Sequence, residues 1–101
     1  MASRDINTYS NKLLFPIGAL TFSAGIDRLI RQGRLDPTPY FQRHTRGDWG
    51  EVSDDAWQAN NAALASGDRL ESLYIVHREL SIRMVTEADR SLTHILLTSE
   101  T

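Results

Sequence analysis

The chain has 101 residues and a mass of 11.4 kDa, with 41% hydrophobic and 24% charged residues. That suits one modest core and excludes a highly charged disordered chain. With no cysteine, disulfides and thiolate metal sites are excluded, and a formal charge of -2 carries no overall nucleic-acid signature.

Residues 1–11 are polar and aperiodic and read as a loose lead-in to a single domain over residues 12–101. Lys12–Leu20 is a short apolar stretch and a candidate fourth strand, which Pro16 confines to a sheet edge. It is far below the ~20 residues of a membrane span. The N-terminus lacks the apolar core of an export signal, so no membrane contact and a cytoplasmic location are expected.

Phe22–Arg31 has helical spacing, with Ser23 as N-cap, Ile26, Leu29 and Ile30 on one face, and Gly33 as the stop. Pro37 and Pro39 then punctuate a turn. Thr38 is expected to cap a short helix over Pro39–Arg46 that buries Tyr40 and Phe41. Ser53 caps a third helix with Asp54 and Asp55 in its first turn, where carboxylates suit the helix dipole. Its stripe of Ala56, Ala59, Asn60 and Ala63 allows close packing on a sheet, and Ser66-Gly67-Asp68 is the exit turn.

From Arg69 onward the period falls from 3.6 to 2. Arg69–His77, Leu80–Thr86 and Ser91–Thr98 read as strands, and their short connections force antiparallel neighbours. The expected class is α+β: N-terminal helices followed by a three- to four-stranded antiparallel meander sheet.

Two polar clusters stand out. In Arg43-His44-Thr45-Arg46-Gly47-Asp48-Trp49-Gly50-Glu51, two glycines bracket Asp48-Trp49 and suggest a tight excursion that presents a large ring. His44 and Asp48 are near enough for a hydrogen bond that would orient the imidazole as a general base; equally, Trp49 can plug the core while Asp48 caps local amides. The second cluster is Thr86-Glu87-Ala88-Asp89-Arg90-Ser91 with Thr93 and His94. Antiparallel order brings Arg69 to the same sheet end. A carboxylate with two arginines could serve phosphodiester cleavage without a metal, with Glu87 as base and Arg69 and Arg90 stabilising the phosphorane; the plain alternative is a solvated turn held by surface ion pairs.

His44, His77 and His94 are too scattered for a metal site, and no phosphate-binding glycine loop occurs, so neither metal nor cofactor is expected. Ten of the eleven basic residues are arginine, a side chain suited to forked contacts with carboxylates. Charge is also uneven along the chain. Residues 28–46 carry five arginines against Asp36 alone, whereas residues 48–71 carry six carboxylates against Arg69 alone. Such a bipolar chain can hold a partner by charge complementarity, or the two stretches can simply be solvated faces that attract each other.

The series Arg43-His44, Gly47-Asp48-Trp49-Gly50, Asn60, Ala63-Leu64, Arg69, Ser72, Tyr74, Thr86-Glu87-Ala88-Asp89-Arg90-Ser91 and Leu96-Leu97 resembles a family of small proteins carried by bacterial plasmids and other mobile elements. The likeness covers about residues 40–98, most specifically in the GDWG and TEADRS segments; the first 40 residues match less clearly, and the acidic-aromatic ending expected of the family is missing after Leu97. It implies an accessory role, such as countering host restriction or CRISPR systems. A fainter architectural likeness is to barnase-type ribonucleases, whose carboxylate and histidine Glu71 or Glu87 with His94 would supply; likeness of fold does not transfer function.

The leading expectation is a non-enzymatic inhibitor that binds a basic protein, with Trp49 as aromatic anchor and Asp48, Glu51, Asp54 and Asp55 as its acidic set. The alternative is a metal-independent ribonuclease or toxin using Arg69, Glu87, Arg90 and His94. A homodimer through an unpaired edge strand is a third expectation. Nucleic acid as a partner is not favoured.

Overall fold

The computed structural model describes residues 13–100. Along them run β1 (Ala19–Phe22), α1 (Ala24–Arg31), α2 (Thr38–Thr45), α3 (Asp54–Ser66), β2 (Leu70–His77), β3 (Leu80–Thr86) and β4 (Leu92–Leu97). A single 3-10 turn, Thr98–Glu100, closes them. The class is α+β as expected. The expected lead-in over residues 1–11 lies outside the described residues.

The sheet order is β1-β4-β3-β2, and β2, β3 and β4 form the expected antiparallel meander. The fourth strand corrects the expectation in its direction. As expected of the Lys12–Leu20 candidate it precedes the helices and lies at a sheet edge, but it runs parallel to β4, Ala19 opposite Leu92 and Phe22 opposite Ile95, so the sheet is mixed. Parallel neighbours need a long crossover, and all three helices and two strands supply it. The strand also begins later than the apolar run. Phe15 is buried among side chains, and Gly18, at φ +64°, passes so close under the turn before β4 that a Cβ there would lie 2.2 Å from the Ser91 carbonyl carbon. Only past this crossing can the chain extend.

Each helix starts for a local reason. Ser23 Oγ accepts from the Ile26 amide (3.2 Å), and Ser53 Oγ accepts from the Ala56 amide (3.1 Å). At α2 the expected cap is displaced: Pro37 holds the cap position, and the Asp36 carboxylate accepts from the Thr38 amide (3.0 Å). That hydrogen bond also holds the Asp36 carboxyl below its ordinary pKa. The buried residues of α2 are His44 and Thr45, whereas Tyr40 and Phe41 are half-buried. The helix dips its last turn, not its first, into the interior.

Two apolar clusters fill the interior. Ile26, Leu35, Tyr74, Ile82, Met84 and Ile95 join the first two helices to the sheet. Phe15, Trp49, Ala63 and Leu70 form the other, against α3. Burial of such side chains stabilises by roughly 1.5–3 kcal/mol each. No helix among the described residues is long and apolar enough to cross a membrane.

Candidate functional site: an acidic groove on the closed sheet edge

The segment after α2 is shaped by two left-handed glycines, Gly47 at φ +82° and Gly50 at φ +75°. Gly50 is held to its identity twice over, because a Cβ there would lie 2.1 Å from the Leu73 carbonyl oxygen. The close approach has a purpose: Leu73 N–H donates to the Trp49 carbonyl (3.1 Å), and Glu51 N–H donates to the Leu73 carbonyl (2.7 Å). Residues 49–51 thus run along the outer edge of β2. One step away, the Asn60 amide of α3 accepts from Glu71 N–H (3.2 Å) and donates to the Glu71 carbonyl (2.8 Å), as a neighbouring strand would.

The expected aromatic anchor is corrected here. Trp49 has no accessible surface, packs against Phe15 and His44, and donates its indole N–H to Asn61 (2.9 Å). The glycines do present a ring, but inwards, where its large apolar area is best placed. Asp48 does not orient His44. It takes a forked contact from Arg43 (2.8 and 3.2 Å) and an amide from Gly50, which together hold its carboxyl below the usual range. The Arg43 guanidinium in turn lies 4.7 Å above the Tyr74 ring.

His44 is instead the start of a buried hydroxyl chain. Its Nδ1 meets Ser72 Oγ (2.5 Å) and its Nε2 meets Thr86 Oγ1 (2.9 Å). Thr86 meets Thr93 (2.8 Å), and Thr93 donates to the Ile17 carbonyl (2.8 Å). Because that carbonyl only accepts, the direction of the whole chain is fixed. Thr93 accepts from Thr86, Thr86 accepts from an Nε2–H, and Ser72 donates to a bare Nδ1. Burial pushes the His44 pKa down to about 4, so the ring is neutral at physiological pH. Fully buried between Phe15, Trp49 and the hydroxyls of Ser72 and Thr86, it presents no surface to a substrate. The sequence signal for this chain was polar residues on the inward face of alternating strands, Ser72 between Leu70 and Tyr74.

The four residues expected to be catalytic share no hydrogen bond or ion pair between their side chains, although Arg90 reaches the backbone of the segments that carry Arg69 and Glu87. Arg90, at φ +61°, gives its guanidinium to the carbonyls of Asp68 (2.6 Å), Ala63 (3.0 Å) and Glu87 (3.2 Å), and lies 5.7 Å from the Phe15 ring. It is a backbone clamp that ties the end of α3 to the β3–β4 turn. Arg69 faces Glu71 (3.8 Å). His94 shares a hydrogen bond with Thr21 (2.7 Å) on the neighbouring strand. The Glu87 side chain is exposed, and no hydrogen bond or ion pair joins it to the other three. Among the described residues no group of histidines and carboxylates could hold a metal ion.

What the closed edge does create is a groove of about 370 Å³ between α3, residues 51–53 and the sheet. Val52, Ala56 and Leu73 give it an apolar floor, and the Arg83–Glu71 ion pair (2.6 Å) forms one wall. Glu51 stands exposed at its rim, next to exposed Asp54 and Asp55 at the start of α3. None of these three carboxylates has a hydrogen bond or ion pair to its side chain among the described residues. The sequence named all three; it did not show the groove, whose wall comes from Glu71 and Arg83 on strands further along the chain.

No known protein family, curated protein sequence or solved structure matches the chain.

Proposed function

We propose that this protein is a non-enzymatic binding domain whose acidic groove takes a basic segment of a protein partner. The observation that carries this reading is the contrast in how charged groups are used. Arg90 and His44 are committed to the fold, whereas Glu51 lines an apolar-floored groove and Asp54 and Asp55 follow close behind it in the chain, all three exposed and without a hydrogen bond or ion pair to the carboxylate among the described residues. A partner presenting lysines or arginines around an apolar residue would meet both features, and like-charged partners would be repelled. Asp48, half-exposed, is already paired with Arg43 and does not line the groove. An accessory role in a bacterial mobile element, as an inhibitor of host restriction or CRISPR defence, belongs to the same proposal and rests on the resemblance of the GDWG and TEADRS segments.

The alternative of metal-independent RNA cleavage is separated by one assay. With RNA in excess EDTA, the binding reading expects background cleavage from both wild type and Glu87→Gln. Robust cleavage by the wild type that is lost in Glu87→Gln overturns it.

A further inference from the structure

A second surface is carried by the other end of the sheet. The Ala19 amide donates to the Ser91 carbonyl (3.0 Å) and the Ser23 amide to the Ile95 carbonyl (2.9 Å), so the odd-numbered positions of β1 face β4. Leu20 and Phe22 therefore turn their N–H and C=O groups outwards, and no described segment takes them. Their side chains are 40% and 39% exposed. Ala19–Phe22 carries no charge, no proline and no bulge, the devices by which strands usually protect a free edge. The strand is nonetheless firmly placed. Thr21 bonds His94 (2.7 Å), and Ser23 just beyond it donates to Glu100 (2.6 Å), whose carboxylate also takes the Gly25 and Leu97 amides.

From this we infer that β1 pairs with β1 of a second copy, antiparallel about a two-fold axis at Thr21, to give a continuous eight-stranded sheet. The register follows from the outward groups. Leu20 of each copy exchanges both backbone hydrogen bonds with Phe22 of the other, and the two Thr21 residues meet on the axis as a non-hydrogen-bonded pair. The occupant is a second copy because the strand is self-complementary. At a two-fold axis any charge meets its own like, and β1 has none. Leu20 lies against Phe22 twice over, so each copy covers the apolar side chain that the other exposes. Helix α1 packs chiefly on β4, which leaves the edge approachable. A four-residue ladder falls below the ~1,200 Å² of a standard stable interface, so association is weak and rises with concentration.

The cysteine-free sequence makes the test clean. A non-hydrogen-bonded pair sets its Cα atoms ~4.5 Å apart, within reach of a disulfide. Under mild oxidation Thr21→Cys should form a covalent dimer at least tenfold faster than Ile75→Cys, although Ile75 is the more exposed position at 56%. In the Thr21→Cys background, Leu20→Lys should slow that step about tenfold; adding Phe22→Glu sets opposite charges across the axis and restores it. Equal rates for the two cysteine variants overturn the inference, as does a wild-type sedimentation mass fixed at 11.4 kDa up to millimolar concentration, which would leave the edge to a foreign strand. Circular dichroism checks each variant's fold. Should Leu20→Lys not fold, the comparison of Thr21→Cys with Ile75→Cys decides alone.

Discussion

The edge at the start of β2, over Glu71–Leu73, and the edge at β1 are finished in opposite ways. At β2, the outward groups of Glu71 and Leu73 are satisfied by the Asn60 amide and by the backbone of Trp49 and Glu51. At β1, Leu20 and Phe22 meet no partner among the described residues. Closing an edge with a loop is demanding: it takes two left-handed glycines, a buried tryptophan and a backbone approach that only glycine permits. The same closure raises the wall of the acidic groove. The contrast teaches that the closed edge should hold much of the fold's stability together with the proposed binding surface, while alteration of the open edge should disturb neither.

The largest effects should therefore fall on the closing segment. Trp49→Ala removes a fully buried ring and is expected to cost about 3–5 kcal/mol. Gly50→Ala forces a Cβ onto the Leu73 carbonyl from a left-handed backbone, and should cost at least about 2 kcal/mol. Urea denaturation measures both. Equality with wild type would mean that residues 49–51 do not close β2.

Acid should reach the same side of the molecule through His44. Burial holds its folded pKa at about 4, below the ~6.5 of a free imidazole. As pH falls, the unfolded chain binds the proton first, so stability is intact above pH ~6.5 and drains away towards pH ~4, by about 3 kcal/mol. Denaturation midpoints at a series of pH values should show this slope, and His44→Gln should flatten it. A wild type of constant stability down to pH ~4.5 would show that the ring is protonated in place.

Asn60→Ala opens one rung of the closed edge and leaves the Glu71 amide and carbonyl without their partner, at a cost of about 1–3 kcal/mol. Asn60→Asp sharpens the point, since a carboxylate accepts from the Glu71 amide but cannot donate to its carbonyl. At the open edge, by contrast, Leu20→Lys should change stability by no more than about 0.5 kcal/mol. A loss as large as that of Trp49→Ala would mean that the two edges are not different in kind.

Much of this architecture was legible in the residues. Ser53, Gly67 and the three meander strands announce themselves, because capping chemistry and strict alternation are local. β1 was legible only as an edge strand somewhere in an apolar stretch; its bounds and its parallel direction were not, since its ladder pairs it with residues more than 70 positions away and four residues between Gly18 and Ser23 carry little periodic signal. At the candidate site, Gly47 and Gly50 correctly marked a tight excursion. Whether it turned Trp49 outwards or inwards depended on Phe15 and Ala63, which no spacing rule connects to it. His44 and Asp48 lie close in sequence, yet Arg43, on the outer face of the same helical turn, reaches the carboxylate instead.

Partner binding in the acidic groove would depend above all on Glu51, Asp54 and Asp55. The most direct measurement compares proteins captured from bacterial lysate by wild type and by a Glu51→Lys, Asp54→Lys, Asp55→Lys variant, at low and high salt. All three side chains are exposed, so the variant should remain folded, with at most about 1 kcal/mol lost from the helix dipole at each aspartate. The prediction is a basic protein retained by the wild type at low salt and absent from the folded variant. Capture of the same proteins by both, at either salt, would contradict the acidic groove as the binding surface.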